Sequence, residues 1–394
     1  MSSHASSSND KDMVISGADA SAQTFDLGSL TPMLHSYASK QEDRWEKQMI
    51  AIFGSIQVDG PLPLLPPLSE DESCGQKRKS KSKDTYRSPE GKERKLIKGF
   101  QREMKNMVKK AKSDSVIFES FNFVEAIKKL QMVPKRSEAT VMQWLDGKPR
   151  VAKSSDGVDI ICHLPMALKE CARKELYQAL MEFGHAVNAK PDGGADRNKR
   201  NVKSSYVQKE GELAGIVKLV AYWKMHGPKT PSRDYLKSGR QFCLATAVLN
   251  KLNHSALRIN AAFEALDEKQ YSALKTLREK VLLDNPFARM IASNYPLLFE
   301  GLAIMWNRQT PLHSDNTDPI NGWVALMVLG EFQKGHLWIP CLKLRLSYEP
   351  GTIIFLRGHI LPHEVEAWEG GQRISMAHFT HQTIWNDYPD IECP

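Results

Sequence analysis

The chain has 394 residues, 41% hydrophobic and 25% charged, and a formal net charge of +8. That is long enough for one large domain or two smaller ones with a substantial core, and ordinary for a soluble globular protein. No apolar run reaches transmembrane length, and the polar, Ser-rich start "MSSHASSSNDKD" is no signal peptide. The six cysteines, Cys74, Cys162, Cys171, Cys243, Cys341 and Cys393, are scattered without a C-x-x-C pair or a zinc-ligand spacing. A structural zinc site and a disulfide framework are therefore unsupported, and a reducing intracellular compartment is expected.

Residues 1–75 read as a mostly disordered tail, because its Ser/Asn/Asp start and "PLPLLPPLSEDES" cannot sustain a helix or a sheet interior. Within it, Trp45, Met49 and Phe53 recur every four residues and predict a short docking helix. Residues 76–115 form a basic segment: from Lys77 to Lys112 there are fifteen Lys or Arg against four acids, a local excess of eleven. Such a block is the electrostatic footprint of a polyanion, most often nucleic acid, and "KRKSKSK" also suits nuclear import. A solvated tail with no specific partner is the alternative. From Lys95 onward, Leu96, Phe100, Met104, Met107 and Val108 mark a helix with an apolar stripe and a basic opposite face.

Residues 116–290 are expected to be helix-rich, flanking the core, with helices at "SFNFVEAIKKLQM", at "LPMALKECARKELYQALMEFGHAV" and from Phe242 to Leu283. Between them, about Asn188 to Tyr206, lies a loop rich in Gly, Asp, Lys and Arg that suits phosphate contact. After residue 290 the character changes. "LFEGLAIMWN", "GWVALMVLGEF", "GHLWIPCLKLRLSY", "GTIIFLRG" and "RISMAHFTHQTIW" are β-branched and aromatic runs between turn signals. Residues 291–394 are thus expected to be a sandwich or barrel, and the whole an α+β fold with helices packed on a jelly-roll.

One stretch at the end of the first of these strands, "WNRQTPLHSDNTDP", holds His313 and Asp315 one residue apart. Alone, His-x-Asp is weak: His313 and Asp318 equally suit turn-capping roles. A second pair, His359 and His363, follows "GTIIFLRG", and Arg373 opens the last strand. Two histidines and a carboxylate can occupy one face of an octahedral iron(II), leaving three positions for a bidentate cosubstrate and oxygen. A guanidinium can clamp the distal carboxylate of 2-oxoglutarate bidentately. If the last strand is extended, Arg373, Ser375, Ala377, Phe379 and His381 share one face while Ile374 and Met376 take the other.

With these residues in view, the segment from about Leu298 to Trp385 resembles the double-stranded β-helix of iron(II)/2-oxoglutarate dioxygenases. It resembles in particular the TET/JBP family, which oxidises methyl groups of DNA bases, and within it the fungal (mushroom) TET-like members. The resemblance implies iron ligands His313, Asp315 and His363, since the distal histidine stands ten residues before the cosubstrate arginine, Arg373; His359, fourteen before it, ranks second. It places Arg308 between cosubstrate and flipped base, with Ser375 beside Arg373 in the cosubstrate site. It stacks Phe379 on the base and turns Asp318 and His381 to the base edge. The cysteine-rich zinc segments of animal members are absent, so their DNA contacts do not carry over.

The resemblance implies Fe(II), 2-oxoglutarate and oxygen as cofactors, and duplex DNA with methylated bases as substrate. The expected protein is a nuclear monomer without membrane attachment that flips its target base out of the duplex. 5-Methylcytosine would be carried to hydroxymethyl-, formyl- and carboxylcytosine, or N6-methyladenine demethylated; the Asp318/His381 pair does not by itself choose between cytosine and adenine. Two alternatives are a 2-oxoglutarate-dependent hydroxylase of protein, RNA or a small molecule, and an inactive DNA-binding protein on a degenerate dioxygenase fold.

Overall fold

A computed structural model describes residues 89–129, 142–192, 203–222, 231–292 and 295–394, all within one compact unit. The expected tail, the Trp45–Phe53 helix and the "KRKSKSK" block lie outside these residues, as does most of the loop expected near Asn188 to Tyr206.

The first described element, α1 (Pro89–Ser113), is the helix of the basic segment. Its stripe packs from Phe100 onward, while Leu96 at its start is exposed: Met104, Val108 and Ala111 are buried, and Phe100 meets His254 edge-on at 5.2 Å between ring centroids. The partner is the long helix Gly239–Leu266, and Lys105 pairs with Glu264 across the contact at 2.9 Å. Lys95, Lys98, Arg102 and Lys109 remain exposed on the opposite face.

Short elements follow: β1 (Val116–Phe118), α2 (Phe123–Lys128), β2 (Met142–Trp144), β3 (Arg150–Ser154), β4 (Asp159–Leu164), α3 (Glu170–Ala186), β5 (Gly215–Val220) and α4 (Arg233–Leu236). Next, α5 (Gly239–Leu266) and α6 (Glu268–Asp284) split the expected long helix at Asp267, whose carboxylate caps α6 by accepting the Gln270 N–H. After α7 (Pro286–Ala292) come β6 (Gly301–Trp306), β7 (Val324–Lys334), β8 (Leu337–Ile339), β9 (Leu344–Leu346), β10 (Ile353–Leu356), β11 (Glu364–Val365), β12 (Trp368–Phe379) and α8 (Gln382–Trp385).

These strands build an eight-stranded sheet in the order β1-β3-β4-β10-β7-β12-β6-β5 and a four-stranded sheet β11-β8-β9-β2. Inner residues of both, among them Val324, Leu326 and Val328 on β7 and Leu337, Ile339, Leu344 and Leu346 on β8 and β9, join one apolar cluster. The larger sheet's other face carries helices: Phe263 of α5 stacks on Phe355 of β10 at 5.9 Å, and Phe183 of α3 meets Trp306 of β6 at 6.2 Å. This is the expected α+β jelly-roll with a helical layer.

The sheets do not begin at residue 291, however. β1 to β5 come from residues 116–220, the region expected to be helical, and β4 pairs directly with β10. These strands are three to six residues long, too short to stand out from a local hydrophobic pattern. Their partners are distant in sequence, so only long-range pairing identifies them.

The last strand also starts earlier than "RISMAHF" indicates. β12 runs from Trp368 through two glycines, and its pairing with β7 slips between Gly370 and Arg373. From Phe332↔Gly370 to Gly330↔Arg373, β7 advances two residues and β12 three, which is a β-bulge. The extra residue changes the strand's phase, so even-numbered Trp368 and odd-numbered Arg373 both face the inner side. Arg373, Ser375 and Ala377 lie opposite Gly330, Val328 and Leu326 on that side. Ile374 and Met376 take the helix-facing side, as alternation requires.

Candidate active site

The connection between β6 and β7 passes alongside the segment that follows β10. His313 and His363 form an antiparallel bridge: the His313 N–H donates to the His363 carbonyl at 3.1 Å, and the His363 N–H donates back at 2.8 Å. Directly opposed residues project side chains the same way, and the two imidazole centroids lie 4.3 Å apart. Asp315 follows His313 by two residues, one strand period, and so shares its side. Its N–H donates to the Gly358 carbonyl at 2.9 Å, tying the two segments a second time.

The three side chains converge. His313 Nε2 lies 3.5 Å from Asp315 Oδ1, His363 Nε2 lies 3.8 Å from Asp315 Oδ2, and all three candidate donor atoms fall within 4.8 Å of one another. Both Nδ1 atoms face carbonyl oxygens two residues back, that of Pro311 at 2.8 Å and that of Leu361 at 2.9 Å. A carbonyl only accepts, so each Nδ1 carries a proton, and each Nε2 is the ring nitrogen turned to Asp315. Three donors on one side suit a metal with open positions opposite. Gly358 makes room for the carboxylate: a Cβ built there would lie 2.3 Å from Asp315 Oδ2.

His359 is not part of this cluster. Its Nδ1 donates to the Asp318 carbonyl at 2.6 Å, which fastens the loop beyond Asp315. The choice between His359 and His363, one turn apart on the same loop, is made by the bridge to His313.

Arg373 is fully buried between aromatic rings, its guanidinium carbon 5.0 Å from the Tyr348 ring, 5.4 Å from Phe332 and 5.5 Å from Trp368. One Nη donates weakly to the Arg308 carbonyl at 3.4 Å, while Nε and the other Nη have no hydrogen-bond partner. Burial pulls its pKa down to about 10. An arginine that stays charged in such a site without a carboxylate is costly, and a dicarboxylate delivered to the free edge of the fork removes that cost. The donor set therefore fits both groups: a metal at the triad and 2-oxoglutarate reaching from it to Arg373. Ser375, buried on the same inner face, is one strand period away.

Arg308 is buried beneath Tyr206. The two residues form an isolated antiparallel bridge, and the guanidinium carbon lies 6.0 Å from the phenol ring centroid. One Nη points at the Met305 sulfur, 3.2 Å away. Tyr206 is absent from any local motif, and its role beside Arg308 arises only because a segment a hundred residues upstream returns to pair there.

Asp318 and His381 do not act separately. His381 Nδ1 donates to Asp318 Oδ1 at 2.9 Å. Burial raises the Asp318 pKa to about 6, against the lowering hydrogen bond from His381. His381 also lies off the strand, because β12 ends at Phe379 and His381 caps α8. The expected single face therefore stops at Phe379, although the two rings remain adjacent at 4.6 Å. Phe379 lies over Gly301 of the neighbouring strand, where a Cβ would come within 2.4 Å of the ring.

Among the described residues no helix is long and apolar enough to cross a membrane. Residues 226–382 match the family model Tet_JBP, the oxygenase domain of the 2OGFeDO superfamily. Similar solved structures include NgTET1 in complex with 5mC DNA, at 15% identity over 73% of this chain and 90% of that one, with a TM-score of 0.47. They also include a Pseudomonas putida prolyl-4-hydroxylase, at 12% identity over 56% and 92% with a TM-score of 0.30. A Trichoplax adhaerens prolyl hydroxylase complexed with a hypoxia inducible factor peptide fragment matches at 10% identity over 57% and 84%, with a TM-score of 0.31. Comparison with curated proteins finds no match by sequence. Oxygenases of this superfamily use Fe(II), 2-oxoglutarate and oxygen, and a His-Asp-His cluster with the donor set for a metal is present here. Residues 226–382 of this chain are thus similar to the Tet_JBP family of 2-oxoglutarate/Fe(II) oxygenase domains.

Proposed function

We propose that this protein oxidises methyl groups on bases of duplex DNA. 5-Methylcytosine is one substrate, taken through hydroxymethyl- to formyl- and carboxylcytosine. N6-Methyladenine is a second, losing its methyl group as formaldehyde. One observation supports the reading above others: Phe379, His381 and Asp318 form a contiguous aromatic and polar cluster joined to Asp315 by the Asp318 N–H to Asp315 carbonyl bond of 3.0 Å, inside a Tet_JBP-family domain.

Iron(II) with 2-oxoglutarate and oxygen supplies a two-electron oxidation that inserts one oxygen atom into a C–H bond and leaves succinate and carbon dioxide. In this reading His313, Asp315 and His363 hold the iron, and Arg373 clamps the distal carboxylate of 2-oxoglutarate with the planar fork that a lysine lacks. Arg308 lies between cosubstrate and base, and Ser375 lies beside Arg373 in the cosubstrate site. A base in a duplex must be extruded at a cost of a few kcal/mol, which stacking on Phe379 and edge hydrogen bonds to the Asp318–His381 pair offset. Both cytosine and adenine present an exocyclic amine, a hydrogen-bond donor, so an acceptor at this edge accommodates either.

The exposed face of α1 supplies phosphate contacts. Lys95, Lys98, Arg102 and Lys109 are spaced three, four and seven residues apart, a row of cations about 21 Å long at 1.5 Å per residue. The nuclear location suggested by "KRKSKSK" belongs to the same proposal and is tested by imaging a tagged chain with and without those seven residues.

The deciding experiment is mass spectrometry of bases after incubating the Fe(II)-loaded full chain with 2-oxoglutarate and duplex DNA carrying either methylated base. Oxidised cytosines, and unmodified adenine from N6-methyladenine, are expected. Succinate without any base product points to a protein, RNA or small-molecule substrate. DNA binding without succinate makes the protein a non-catalytic binder. Loss of succinate in His363→Ala but not in His359→Ala is expected, and the reverse overturns the ligand assignment.

A further inference from the structure

The β12 bulge leaves Arg373 with a backbone N–H that the β-ladder does not satisfy in the regular way. That N–H donates instead to the side chain of Asn307, to Oδ1 at 2.8 Å. The same oxygen accepts from Gln372 Nε2 at 3.0 Å. Gln372 is itself held on both ends of its amide, by the Leu213 N–H to Oε1 at 2.7 Å and by the Leu213 carbonyl at 3.0 Å from Nε2. The Asn307 Nδ2 donates to Glu212, and the Asn307 main-chain N–H donates to the Arg373 carbonyl at 2.8 Å. Asn307 is completely buried and Gln372 nearly so.

The backbone is adapted to this arrangement at two points. Asn307 has φ +46°, a left-handed conformation that asparagine adopts more readily than other non-glycine residues. Gly330, opposite the bulge, has φ +140°, and a Cβ there would lie 2.1 Å from the Gln372 carbonyl oxygen. The strands approach too closely for any side chain.

We propose that Asn307 and Gln372 form a latch that holds the β12 bulge and thereby turns Arg373 inward, making both positioning residues for the 2-oxoglutarate carboxylate. The physical reason is the strand period. Without the extra residue, Gln372 would oppose Gly330 and Arg373 would point at the helical layer. A bulge is one local solution among several, and unpaired polar groups at it are expensive when buried. Asn307 removes that expense for the bulged form only, because its Oδ1 reaches the Arg373 N–H and the Gln372 amide together. Asn307 also precedes Arg308, so the left-handed turn that frees its side chain for the latch sets the direction of Arg308 as well. Neither residue touches substrate or metal. The inference rests on the reading of Arg373 as the carboxylate anchor.

The test uses the full chain and four variants. Asn307→Gly keeps the left-handed backbone while deleting the latch, and Gln372→Leu deletes its second arm without touching Asn307. Asn307→Asp combined with Glu212→Gln reverses one donor and acceptor and retains the oxygen that Arg373 and Gln372 require. Arg373→Lys reports on the reading beneath. Binding of 2-oxoglutarate is measured anaerobically by titration calorimetry with iron(II) bound, alongside iron(II) affinity, the melting temperature, and KM and kcat for succinate formation. Asn307→Gly and Gln372→Leu should weaken 2-oxoglutarate binding about tenfold, the scale of one lost buried hydrogen bond. KM for 2-oxoglutarate should rise with it, while iron affinity stays as in the wild type. The donor-swapped double variant should recover most of the affinity. If Asn307→Gly and Gln372→Leu lower the melting temperature but leave 2-oxoglutarate affinity unchanged while Arg373→Lys weakens it, the latch is merely structural and the inference is wrong. If Arg373→Lys also binds 2-oxoglutarate normally, the anchor reading fails and the inference fails with it. Should Asn307→Gly not fold, Gln372→Leu and the double variant decide alone: normal affinity in the first, or no recovery in the second, overturns the proposal.

Discussion

Replacing Gly358 by alanine is the smallest perturbation that bears directly on the metal cluster. The added methyl would lie 2.3 Å from Asp315 Oδ2, 3.2 Å from its Cγ and 3.4 Å from Val324 Cγ2. A carbon and an oxygen in ordinary contact stand about 3.3 Å apart, so the carboxylate oxygen must retreat by about 1 Å. It has little freedom to do so, because the Asp315 N–H is tied to the carbonyl of Gly358 itself at 2.9 Å. Gly358 does not lie in the left-handed region, so alanine adds no backbone strain and the methyl acts alone. A misplacement of about 1 Å at a catalytic group typically costs on the order of a hundredfold in rate, or about 2.7 kcal/mol of barrier. Succinate formation with saturating 2-oxoglutarate should fall by that factor, and the iron(II) concentration for half activity should rise, with the melting temperature little changed. A variant with wild-type turnover and iron dependence would refute Asp315 as a ligand held by the glycine gap.

Gly301→Ala should push the Phe379 ring out of its seat, since the ring atoms lie 2.4 to 2.9 Å from the added carbon. Base oxidation should drop at least tenfold while DNA-independent succinate formation persists; equal losses in both assays would remove Phe379 from the base pocket. Reversing charge at Lys98, Arg102 and Lys109 together should weaken duplex binding and flatten its dependence on salt by about three phosphate contacts. An unchanged slope in a binding titration would make the α1 face a bystander. His163 and His378 are fully buried with pKa values lowered to about 4 by burial. Each is neutral in the folded chain while its unfolded counterpart takes up a proton near pH 6.5, so stability is full above that pH. It should decline by about 1.4 kcal/mol per pH unit per histidine down to about pH 4. Denaturant midpoints that stay flat between pH 6.5 and 4.5 would contradict this.

Much of the architecture was legible locally. The α1 stripe of Phe100, Met104 and Val108 predicts a helix with one buried face because a 3.6-residue period needs no distant partner. Likewise β6, β7 and β10 stand out as unbroken apolar runs bounded by turns, and "HSD" carries two ligand types at the strand period. Those features depend only on neighbours in sequence. What depends on neighbours in space was decided by tertiary structure. β1 to β5 are too short to declare themselves and become strands by pairing with chain far away, as β4 does with β10. His363 is distinguished from His359 by a backbone bridge to a residue fifty positions earlier. Asp318 and His381, sixty-three residues apart, become one hydrogen-bonded pair. The face that Arg373 occupies depends on a bulge across two glycines, on Asn307 accepting its N–H, and on the close approach of Gly330. A strand's alternation says which residues share a face, but not which face turns inward. Register and bulge decide that, and they are set by hydrogen bonds to partners that are remote in sequence.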